Sequence, residues 1–134
     1  MAGANHGTHV TKVETLFASA ARTASANGSA VTTSLRTGAI TNDNVGFTRH
    51  AMVFLDTTAV SGSSPTLDFK LEGRVTGSDN WLDLTASSAW TQVTAANEQV
   101  RRYEGPLPPE IRGVATIGGS SPSFTFSAKV VLGC

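Results

Sequence analysis

The residues of this 134-residue chain that are able to do chemistry are few and scattered. Its three histidines are His6, His9 and His50, and the first two form the phrase HGTH. Two imidazoles three positions apart share a metal ion when a helical turn brings them to one face, with further ligands completing the shell. Gly7 and Thr8 disfavour that turn and no third ligand stands near. The pair therefore reads as part of a solvated N-terminal arm over residues 1–9, and no metal is expected. Glycoside hydrolysis would need two carboxyl groups held at a set separation. Asp68 and Glu72 fall on the outer face of a predicted strand, and Asp79 and Asp83 lie at or just after a turn, so solvent-facing polarity and turn chemistry account for all four. The sequence holds no G-x-S-x-G elbow, no G-x-x-x-x-G-K-[ST] phosphate loop and no G-x-G-x-x-G dinucleotide turn. The expectation is a protein that is not an enzyme and carries no cofactor.

Aromatic side chains leave room for binding. Trp81, Trp90 and Tyr103 are able to form a sugar-stacking platform on a sheet face. The preferred reading has Trp81, which follows a turn, plugging the end of a core. Cys134 is the single cysteine, so no intrachain disulfide forms and the fold stands on packing. A covalent link from Cys134 to another subunit is the sharper alternative.

Bulk properties narrow the partners. The formal charge is zero and the pI about 6.8, so no net field draws the chain to nucleic acid, and the densest basic group is only Arg101 and Arg102 with Arg112 nearby. No apolar run approaches the ~18 residues of a membrane span, and residues 1–9 lack the basic start and apolar middle of an export signal. Neither nucleic acid nor membrane is expected as a partner. Charged residues make up 15%, well below the usual value of about 25%. Ser, Thr and Gly fill the gap, a vocabulary of strands and turns.

Those elements show in a period of two. In 66–72, Leu67, Phe69 and Leu71 point one way while Thr66, Asp68, Lys70 and Glu72 point the other, the mark of a half-buried strand. The phrase GSSP precedes this run at 62–65 and returns at 119–122, ahead of Phe124, Phe126, Ala128 and Val130. Each copy reads as strand, glycine-bearing turn, strand, which predicts two hairpins, at about 51–74 and 110–132, facing one another across a core. Further strands are predicted at 10–18, 29–35, 81–85, 90–94 and 98–103, while the Ala-rich stretch 17–26 is the only candidate helix. The segment 105–109, Gly-Pro-Leu-Pro-Pro, breaks regular structure. The predicted fold is all-β: one antiparallel β-sandwich domain over 10–134, jelly-roll or immunoglobulin-like, of about eight short strands, behind the flexible arm. Its predicted core is Leu55, Leu67, Phe69, Leu71, Trp81, Phe124, Phe126 and Val130.

The phrases LDTTAVSGSSPTLDFKLEG, SDNWLDL, WTQVTAANEQ and IRGVATIGGSSPSFTFSAKVVL, covering most of 51–132, resemble a family of small β-sandwich proteins encoded among the virion genes of tailed bacteriophages and prophages. The resemblance implies a virion structural protein with no catalytic residues to carry over. The role it favours is a head decoration, or cement, protein, made in the host cytoplasm and located on the capsid exterior, with the major capsid protein as partner. Homo-oligomers, often trimers, are implied with it. A tail-tube, neck or tail-tip component and a carbohydrate-binding surface module are the alternatives. Adhesive residues are expected where the core makes no demand: His6 and His9 in the arm, Asn42, Asp43 and Asn44 in the polar loop 36–47, and Pro106, Leu107, Pro108 and Pro109 in the proline loop.

Overall fold

The computed structural model describes residues 11–35 and 50–133. Every regular element among them is a strand: β1 (Thr11–Arg22), β2 (Ala26–Asn27), β3 (Val31–Thr32), β4 (His50–Arg74), β5 (Leu82–Leu84), β6 (Asn97–Glu104) and β7 (Glu110–Gly133). The all-β antiparallel class is as the alternation predicted. The count is seven, and two strands, of 25 and 24 residues, dominate.

The predicted hairpins do not form. Each GSSP phrase lies inside one continuous strand, and β4 and β7 pair with each other along their whole length, from His50↔Gly133 to Arg74↔Glu110. What looked like a turn is a kink. Gly62 (φ 113°) and Ser64 (φ 49°) bend β4, and Gly119 (φ 110°) and Ser121 (φ 49°) bend β7 in the same way. The register shifts around Ser63↔Ser120, where the two kinks cross. A Cβ on Gly62 would stand 2.7 Å from the Ser121 carbonyl oxygen, and one on Gly119 2.7 Å from that of Ser64. Only glycine permits this approach at that φ. Period-two alternation fixes which face is buried but not which strand is the neighbour, so it fits a long kinked pair as well as two hairpins.

The kinks divide one sheet into two halves. In the first, β1 pairs the C-terminal half of β7, which pairs the N-terminal half of β4, which pairs β6. In the second, β2 and β3 pair the N-terminal half of β7, which pairs the C-terminal half of β4, which pairs β5 and forms a bridge between Leu67 and Val93. Folding at the crossing sets the halves face to face. Phe17 of β1 meets Phe126 at 5.1 Å in its own half and Phe69 at 6.3 Å in the other, both edge-on. Gly113 keeps that contact open, because a Cβ there would stand 3.0 Å from both rings.

Leu55, Leu67, Phe69, Leu71, Phe124, Phe126 and Val130 are buried, as predicted, with Val53, Tyr103, Ile111 and Leu132. Trp81 is not. The register Gly73↔Leu82 puts it beside Arg74 on the outer face, where the Arg74 and Arg112 guanidinium groups lie 4.4 and 4.3 Å from its ring centre. Trp90 is the tryptophan that plugs the core: its ring meets Phe69 edge-on at 4.9 Å and its Nε1–H donates to Tyr103 Oη at 2.8 Å. The candidate helix 17–26 is strand up to Arg22, whose guanidinium covers the rings of Phe17 and Phe126. The strand predicted at 90–94 is reduced to the single bridge at Val93, and that at 29–35 to the two residues of β3.

Candidate functional site

The row of residues farthest from the double kink gathers the chain's connections. In the first half, Thr11 pairs with Gly133, Gly133 with His50, and His50 with Glu104. One row therefore holds the start of β1, the end of β7, the start of β4 and the end of β6. Residues 1–10 join it at Thr11, residues 36–49 join it at His50, and 105–109 leave it at Glu104. The imidazole of His50 lies over Gly133, where a Cβ would stand 2.9 Å from Nε2. Among the described residues no group of His, Cys, Asp and Glu could hold a metal ion.

The proline loop spans this pole to Glu110, itself paired with Arg74 in the second half. It is held from both sides. The Thr33 hydroxyl donates to the Pro108 carbonyl at 2.7 Å and the Thr33 amide to that of Pro109 at 2.9 Å. On the other side the Pro108 ring rests on Gly73, where there is no room for a side chain. Pro106, Leu107 and Pro108 thereby form one wall of an open groove of about 570 Å³, with Val75, Leu82 and Leu84 opposite. Val75 is 68% exposed and Leu82 69%, the two most exposed large apolar side chains among the described residues. Two aliphatic side chains left in water beside rigid prolines make a surface suited to an apolar contact from another molecule. They bracket the turn at 77–80, and Leu82, within the strand predicted at 81–85, stands in water instead of packing on the core.

Charge beside the groove is already spent. Arg112 donates from Nε and Nη2 to Glu72 Oε1 at 3.0 and 2.9 Å, and Arg74 from Nε to Glu110 Oε1 at 2.8 Å and from Nη1 to the Ser78 carbonyl at 2.9 Å. Lys70 donates to Asp83 at 2.8 Å, a bond that raises its pKa above the ordinary lysine value. Asp68 accepts from the Gln92 amide at 3.1 Å. These carboxylates are tied into a ladder across the outer face; Asp68 and Asp83 are exposed there as the sequence predicts, whereas Glu72 is buried under its pairing with Arg112 and Lys70. The aromatic platform is not assembled: Tyr103 is buried, Trp90 packs on the core, and Trp81 lies apart under its two arginines.

Of the nine predicted contact residues, Pro106, Leu107 and Pro108 line the groove, and Pro109 is anchored beside it by its carbonyl. His6, His9, Asn42, Asn44 and Asp43 lie outside the described residues, as does Cys134.

No protein-family description matches the chain, and no curated protein matches its sequence. Among solved structures, it is similar to the crystal structure of the SPBc2 prophage-derived protein YomS, with a TM-score of 0.53 and 13% identity over 95% of this chain and 96% of that one. The structure of infectious bursal disease virus, Gx strain, aligns with a TM-score of 0.48 and 13% identity over 94% of this chain and 33% of that one. At this identity what the chain shares with the prophage-derived protein is its fold, across nearly the full length of both.

Proposed function

We propose that this chain is a virion structural protein of a tailed phage or prophage, and within that class a decoration protein bound to the outer surface of the head. It acts by binding, not by catalysis, and its partner is the major capsid protein. One observation carries the reading: the segments expected to adhere, 1–9, 36–47 and 105–109, all join the sandwich at one pole, beside a groove with two aliphatic side chains in water. The full-length fold likeness to a prophage-derived protein supports the setting.

Physically the arrangement suits a clamp. A rigid, disulfide-free block presents several contact segments on one side, and the segments bind together as a single multivalent unit. Many copies on one shell stabilise it by mass action, since each favours the assembled state over the dissociated one.

The test is occupancy on purified heads stripped of the protein. Wild-type chain is expected to rebind. A variant with Val75→Asp and Leu82→Asp, both changes at exposed positions, is expected to lose about tenfold or more in affinity while keeping its thermal unfolding midpoint. Deletion of residues 1–9 is expected to weaken attachment with the domain still folded. Unchanged occupancy for both variants would refute the attachment pole, and antibody labelling confined to tails would replace the head assignment with a tail component.

A further inference from the structure

Next to the pole row, the outer face of the first half carries an apolar patch where an exposed sheet face is normally polar. The paired rows are Val13, Val131, Met52, Arg102 and then Thr15, Lys129, Phe54, Val100. Val13 is 61% exposed, Phe54 43% and Val100 40%, with Met52 and Val131 half-buried between them. This patch and the groove hold all five of the large apolar side chains that stand exposed among the described residues.

The charges around the patch say what fits it. Lys129 on β7 lies beside Phe54 in the same row, and Asp56 on β4 and Glu98 on β6 are paired in the next outward-facing row toward the kink. Among the described residues none of these three forms an ion pair within its own chain, whereas the ladder on the opposite outer face is fully paired. A surface with an apolar centre, the unpaired Lys129 on its β7 side and two unpaired carboxylates on its β4 and β6 side, with Arg102 on β6 held by Glu104 at 3.8 Å, is able to meet a second copy of itself.

From this geometry we infer that the outer face of the first half is a self-association surface whose occupant is the same face of a second copy of this chain. The two-fold axis runs between the faces, parallel to the strands and between β4 and β7. It sets β7 of one copy over β4 of the other, and β1 over β6. Val131 then comes to rest against Met52 of the second copy, Val13 lies over its Arg102, and Lys129 lies over its Phe54, one row from its Asp56. Four strands about 4.8 Å apart and eight residues long at a rise of about 3.4 Å give a face of roughly 20 by 25 Å. Both faces together bury on the order of 1,000 Å², the low end for specific association. The expected dimer is accordingly weak in solution, on the order of micromolar.

Sedimentation velocity of the full chain across a concentration series tests this. A monomer–dimer equilibrium is expected. Phe54→Lys, at an exposed position, is expected to weaken it by about tenfold or more with an unchanged unfolding midpoint. Lys129→Glu and Asp56→Lys are each expected to weaken the dimer and the two together to restore it, with the unfolding midpoint of the monomer unchanged throughout, since the two are also diagonal neighbours within one chain. A chain that stays monomeric at every concentration, a Phe54→Lys variant that still dimerises, or a chain that dimerises only after residues 1–10 are removed would each overturn the inference. Head occupancy does not enter these measurements, so a failure here is separate from a failure of the capsid reading.

Discussion

Tyr103 is the only tyrosine in the chain and is 2% exposed, so its phenol is a private reporter on the core. Burial holds its pKa above the ordinary 10.0, an effect reduced but not cancelled by its bonds to Trp90 and to the backbone of Leu71. Because the folded value is raised, the neutral phenol favours the folded chain. The contribution is complete below about pH 10 and is lost as pH climbs through the folded value. Stability is therefore expected to fall on the alkaline side, with phenolate absorbance appearing only as the chain opens. Lys70 shifts in the same direction but is exposed and screened by water, so it adds little. Tyr103→Phe is expected to remove the absorbance signal and flatten the alkaline decline, at a cost of about 1 kcal/mol near neutrality from the lost Trp90 bond. Thr57 gives the opposite case. It is 2% exposed and its hydroxyl has no hydrogen-bond partner among the described residues. Thr57→Val keeps the shape and removes the unsatisfied group, so a gain of about 1 kcal/mol in chemical denaturation is expected.

At the scale of elements, the crossing of β4 and β7 is the decisive feature. Gly62→Ala and Gly119→Ala each place a Cβ 2.7 Å from a carbonyl oxygen at a φ near +110°, and each is expected to cost about 2–3 kcal/mol or more. Gly77→Ala is the control: φ is also positive there, at +79°, but no atom stands within 4 Å, and about 1 kcal/mol is expected. Equal losses at 62, 77 and 119 in denaturant titrations would show that the close approach contributes nothing. The same crossing explains what was legible in the sequence. Leu67, Phe69, Phe124 and Phe126 announced the buried face through their spacing, because alternation reports burial directly. Their strand partners were hidden, since glycine, serine and proline write a kink and a turn in the same letters. Trp81 was misplaced for a related reason: a tryptophan after a turn plugs a core only if the register turns it inward, and here the register with β4 sets it beside Arg74.

For the whole molecule, both halves of the sandwich are built on the same two strands and pack on one another through Phe17 and Phe69, so losing one half uncovers the core face of the other. Unfolding is expected as one transition, with tryptophan fluorescence and far-ultraviolet circular dichroism superimposing across a denaturant series. Two separated transitions would show that the kinks uncouple the halves. The proposed attachment pole was half legible. The proline loop stood out by composition, whereas the groove it walls depends on Val75 and Leu82, which meet it only through the pairing of Arg74 with Glu110. That architecture also has a mechanical direction. Thr11 and Gly133 are neighbours at the same end of antiparallel strands, so tension between them peels β1 from β7 one pair at a time and needs little force. Tension along the ribbon, from the pole to the crossing, loads the β4–β7 bonds in parallel and must shear them together. A partner that pulls on the pole therefore meets a block that is compliant along one line of pull and stiff along the other.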